Sequence, residues 1–173
     1  MVGLGNDIAA DDAVGILAAR RLAELLGPGV AVDVVELPWA GLALLDALCG
    51  YRRAVLIDSL CSGEHAPGSV VRLSEADLAG SVRLNSFHDL NYPTAMALGR
   101  MLGWALPEDI VIYAVEGQVF DRFATRLTPV VQRGLDDVVR RAARHLAVPV
   151  CPDSLEKVEV IHASGVQPGS PAR

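Results

Sequence analysis

Asp12, Asp58 and His88 are the residues whose types and settings could do chemistry together. Asp12 ends the stretch Gly3-Leu-Gly5-Asn6-Asp-Ile-Ala-Ala-Asp11-Asp12, a glycine turn running into a helical pattern. Asp58 closes the apolar run Arg53-Ala-Val-Leu-Ile-Asp58, and His88 lies just ahead of another helical pattern. Two carboxylates and a neutral imidazole suit a borderline divalent cation whose remaining positions are filled by water or substrate. Each residue also has a plainer use. Asp11 is a good N-cap, and Asp12 sits in a first turn, where negative charge complements the helix dipole. A lone histidine such as His88 is more often a hydrogen-bonded structural residue. Asp58 stands apart, because a charge closing a wholly apolar strand costs free energy unless it is satisfied. What favours chemistry is that all three fall on one predicted edge.

That edge is set by alternating strands and helices. Met1–Leu4 reads as a strand end. Val14, Leu17, Ala18, Leu22 and Leu25 recur at helical spacing until Gly27-Pro28-Gly29 stops the helix. Val30–Leu37 is β-branched and alternating, which predicts a strand, and a short helix follows over Leu42–Cys49. Arg53–Asp58 and Asp109–Val115 have the continuous apolar pattern of strands buried on both faces. Between them come a Ser/Gly/Pro-rich loop over Ser59–Gly68, a short strand over Ser69–Leu73, and a helix from Tyr92 to Leu102 with Pro93 in its first turn. Thr128-Pro129 opens the last helix. Its apolar stripe is Val131, Leu135, Val138, Val139, Ala142 and Leu146, and Arg133, Asp136, Asp137, Arg140, Arg141 and Arg144 form a solvated face. The pattern predicts a three-layer α/β/α sandwich with a mostly parallel, twisted sheet of about five strands. One domain is expected over residues 1–163, with a disordered Gly/Pro/Ser-rich tail over 164–173. In such sheets ligands bind beyond the carboxyl ends of the strands, where Asp12, Asp58 and His88 are expected.

Composition narrows the partners. At 51% hydrophobic residues the chain can build a core, which excludes disorder over most of its length. With only 5% aromatics, that core must come from Ala, Val, Leu and Ile. A net charge of −6 argues against a nucleic-acid or anionic-membrane binder, whose footprint is a basic face. No apolar run approaches the roughly 20 residues that span a bilayer, and the start lacks the layout of a signal peptide, so a cytoplasmic protein is expected. Cys49, Cys61 and Cys151 form no CxxC pair and read as small buried thiols, with Cys61 alone left open because it lies three residues from Asp58. A nucleotide-binding reading of Gly3-x-Gly5 ranks last. The third glycine of the dinucleotide fingerprint is missing, and Asp7, Asp11 and Asp12 would repel phosphate.

The opening stretch through Gly15 resembles the signature of the hydrogenase maturation endopeptidases. The likeness continues through Leu-Ile-Asp58, Ser86-Phe-His88-Asp-Leu90, Ala-Leu-Gly-Arg-Met-Leu-Gly103 and Leu127-Thr-Pro129-Val130, in order along nearly the whole chain. It implies a peptidase, classed as aspartic-type, that removes a C-terminal extension from the large-subunit precursor of a [NiFe] hydrogenase after nickel insertion. It also implies that Asp12, Asp58 and His88 grip the metal. The nickel would arrive with the precursor, so the free protein, expected as a monomer, need hold none. Which group activates the attacking water is left open by the motif. A non-cleaving nickel-binding accessory protein that docks on the same subunit is the alternative reading. The chain departs from the family pattern in three places. Few residues precede the first glycines. Asp12 stands where some relatives carry the longer Glu. Glu36-Leu37-Pro38-Trp39-Ala40-Gly41 replaces an Asp-Gly-Gly-Thr-like stretch.

Overall fold

A computed structural model describes residues 1–27, 29–74, 77–78, 84 and 92–147. Five strands form its sheet: β1 (Val2–Leu4), β2 (Val35–Leu37), β3 (Arg53–Leu60), β4 (Val70–Leu73) and β5 (Asp109–Glu116), in the order β2-β1-β3-β5-β4. β4 is antiparallel to β5, and the other neighbours are parallel. The helices are α1 (Val14–Leu25), α2 (Leu42–Leu48), α3 (Tyr92–Met101) and α4 (Pro129–His145). The expected α/β architecture is therefore present. His88, Cys151 and the predicted tail over 164–173 lie outside the described residues.

The apolar runs of β3 and β5 have a direct cause, since each face of the sheet is covered. Val55, Ile57, Val111 and Val115 pack with α1 and α4, while Leu56, Leu60, Ile112 and Ala114 pack with α2 and α3. The chain leaves β1 toward β2 on one side and returns to β3 on the other. The strand order therefore reverses between β1 and β3. That reversal opens a crevice at the carboxyl edge. Asp12 follows β1 and Asp58 lies on β3, so both flank it.

Two sequence expectations need correction here. The strand expected over Val30–Leu37 is ordered into the ladder only at Val35–Leu37. Its partner β1 is three residues long, and the pairs Val2↔Val35, Gly3↔Glu36 and Leu4↔Leu37 use all of it. β1 is short yet internal, with β2 on one side and β3 on the other. Cys49 and Cys61 are exposed, not buried, because each falls just past the end of an element, α2 and β3 respectively.

The last helix follows the predicted stripe. Val131, Val138, Val139 and Ala142 are fully buried and Leu135 is 6% exposed. On the outer face Asp137 bonds Arg141 at 2.8 Å, one turn along the helix. Leu135→Ala is expected to lower stability by about 2–5 kcal/mol in urea unfolding, the range for truncating a buried leucine. A loss below about 0.5 kcal/mol, the scale of surface substitutions, would contradict this packing.

Candidate metal-recognition site

Backbone packing at the start of α1 builds the site's platform. A Cβ placed on Gly15 would fall well inside 3.0 Å of the carbonyl oxygens of Leu4 and Ile57, and one on Gly3 would strike the Gly15 carbonyl. The first turn of α1 therefore rests directly on the backbones of β1 and β3, an approach only glycine permits. Gly5, at φ +140°, lets the chain turn tightly under Asp12, whose carbonyl occupies the space a side chain would need. The result is a 3₁₀ turn, Ala10–Ala13, seated over the carboxyl end of β3.

Asp12 is half-buried on that turn, and its Oδ1 accepts a 2.6 Å hydrogen bond from the Ser59 hydroxyl. Ser59 is fully buried beside Asp58, which is itself fully buried and whose Oδ1 accepts the Ser59 backbone N–H at 2.7 Å. The structure thus brings Asp12 within one hydrogen bond of the residue next to Asp58. Asp58 is not the strand's last residue, as the sequence suggested. β3 continues to Leu60 because β5 offers partners as far as Glu116. His88, the third member of the predicted set, is outside the described residues, so the structure neither joins it to the two aspartates nor separates it from them. Among the described residues alone, no three His, Cys, Asp or Glu side chains converge on one point.

Asp11 does something the sequence reading missed. Ala9, not Asp11, takes the cap position of the 3₁₀ turn. Asp11 is wholly buried and accepts N–H bonds from Gln118 and Val119 at 3.0 Å each and from Thr128 at 2.7 Å. The Thr128 hydroxyl adds a fourth at 3.1 Å. One carboxylate therefore pins the loop from β5 to α4 against the opening motif. It also places negative charge at the start of α4, where Thr128 precedes Pro129 without capping through its own side chain.

Glu116 is a second buried carboxylate, 2% exposed, at the end of β5. It accepts bonds from Ser62 N–H at 2.9 Å, Ser62 Oγ at 2.6 Å and Gly63 N–H at 2.8 Å. It ties down the loop after β3, which borders the same crevice. A signal for it was present in the sequence: Asp109-Ile-Val-Ile-Tyr-Ala-Val-Glu116 is an apolar run ending in a carboxylate, like the run ending at Asp58. Where the family stretch is replaced, Glu36 pairs with Arg20 at 2.8 Å, and Arg20 also holds Asp7 at 2.9 Å.

Comparisons with known proteins bear on this arrangement. No family model matches the chain. It is 22% identical over 148 residues to the hydrogenase expression/formation protein HupD of Rhodobacter capsulatus, covering 84% of this chain and 70% of that protein. The hydrogenase maturating endopeptidase HybD from E. coli superposes with a TM-score of 0.65 at 21% identity, over 84% of this chain and 90% of that one. The [NiFe] hydrogenase maturation protease HybD from Thermococcus kodakarensis does so with a TM-score of 0.62 at 25% identity, over 84% and 96%. The fold is that of the hydrogenase maturation endopeptidases. The resemblance read from the opening motif is borne out in both chain and architecture. The platform of Gly3, Gly5 and Gly15 gives that motif its physical reason, since these glycines bring Asp12 down onto the end of β3. No helix among the described residues is long and apolar enough to cross a membrane.

Proposed function

We propose that this protein is an endopeptidase that removes the C-terminal extension of a [NiFe]-hydrogenase large-subunit precursor after nickel insertion. It works as a cytoplasmic monomer and reads the bound nickel through Asp12, Asp58 and His88. The observation that carries the reading is the Asp12–Ser59 hydrogen bond, which ties one carboxylate to β3 one residue along from Asp58, at the crevice edge of a maturation-endopeptidase fold. Two ionised carboxylates and a neutral imidazole give a mixed oxygen and nitrogen donor set that suits nickel. The nickel is part of the substrate. The enzyme's side chains complete its coordination only when the precursor is loaded, so cleavage follows metal insertion. The group that activates the attacking water is not assigned.

The test is the mass of the precursor before and after incubation with the protein. A nickel-loaded precursor should lose its extension, and a nickel-free one should stay intact. Asp58→Asn and His88→Ala should each slow cleavage at least 10–100-fold, the loss already typical of residues that only support a metal ligand. His65→Ala and His145→Ala should cleave at the parent rate, since His65 is exposed on a loop and His145 lies 3.4 Å from Asp109 at the far end of α4. Intact mass after incubation with the loaded precursor, together with binding to it, would favour the non-cleaving accessory reading instead.

A further inference from the structure

We infer that Ser59 is a positioning residue that orients the Asp12 carboxylate for metal recognition, an inference that rests on the reading above. Ser59 stands on β3 in phase with Val55 and Ile57, which face the α1 side of the sheet. A hydroxyl in that apolar row, fully buried, is costly unless bonded, and its partner is the Asp12 carboxylate at 2.6 Å. That length lies in the range of strong hydroxyl–carboxylate bonds, 2.5–2.7 Å. The last torsion of an aspartate is broad and roughly two-fold, so its carboxylate plane is set by the donors around it. A donor fixed on the rigid sheet removes that freedom. The donor lies on the strand directly beneath the short Asp12 side chain. Ser59 thus makes the short arm rigid where a longer arm would gain reach.

The experiment measures affinity for nickel-loaded and nickel-free precursor in parallel, using the full chain. The parent protein should prefer the loaded form. Ser59→Ala, a near-isosteric change, should cut that preference about 10–100-fold, the scale for loss of a group that orients a metal ligand, while affinity for the nickel-free form stays unchanged. Adding Asp12→Glu to Ser59→Ala should restore part of the preference, because the longer arm depends less on the lost donor. Equal weakening for both precursor forms would make Ser59 a purely structural residue and overturn the inference. So would an undiminished preference in Ser59→Ala. If the parent protein shows no preference at all, the metal-recognition reading itself falls and takes this inference with it.

Discussion

Gly15→Ala should lower the thermal midpoint by about 10 °C or more. The methyl would meet the Leu4 and Ile57 carbonyl oxygens, which belong to the backbones of two neighbouring inner strands and cannot swing aside like the end of a side chain. Overpacking against side chains typically costs about 1–3 kcal/mol, and against sheet backbone the cost should sit at or above the top of that range. A domain holds only about 5–15 kcal/mol in all, and each kcal/mol moves the midpoint by roughly 2–4 °C at this size, so a fall of about 10 °C or more is expected. Gly27→Ala is the control. Nothing lies within 4 Å of its added methyl and its φ is not in the left-handed region, so it should stay within about 0.5 kcal/mol of the parent. Matching thermal melts for the two variants would refute the close approach of α1 to the sheet.

The adjacent aspartates should separate cleanly under the same change. In Asp11→Asn the new amide would point its own protons at the Gln118 and Val119 N–H groups, which need an acceptor. Each buried donor left unsatisfied costs about 1–3 kcal/mol, so a loss of roughly 3 kcal/mol or more is expected. Asp12→Asn keeps an oxygen for the Ser59 hydroxyl on a half-buried turn and should cost less than about 1 kcal/mol, while removing the charge that the proposed nickel recognition uses. Urea unfolding and precursor cleavage, measured on both variants, should therefore give opposite rankings. An Asp11→Asn protein with an unshifted urea midpoint would show that Asp11 is not the anchor its four bonds indicate.

What the sequence revealed was whatever depends on neighbouring residues. The double-sided runs of β3 and β5 and the stripe of α4 are local patterns, and each formed where its periodicity placed it. The length of β2 was hidden because it is set by β1, which has only three residues to pair. Ser59 looked like the first residue of a loop because Ser, Gly and Pro follow it, whereas the ladder to Val115 and Glu116 keeps the chain extended through Leu60. Asp11 looked like a cap because the partners it serves are far away in the chain. Asp12 and Asp58 were found by type and setting alone, without Ser59, whose hydroxyl bonds the first and whose backbone N–H bonds the second.

The anchoring of Asp11 also has a consequence in time. Its partners lie 107, 108 and 117 positions further along the chain. A ribosome adding about 5–20 residues per second needs roughly 5–20 s to cover that distance. Throughout that interval the emerging chain already carries both aspartates of the opening motif, yet Asp11 remains hydrated and the platform beneath Asp12 lacks its brace. Under the proposed function, a nascent chain therefore cannot inspect a precursor's metal until Thr128 has been made.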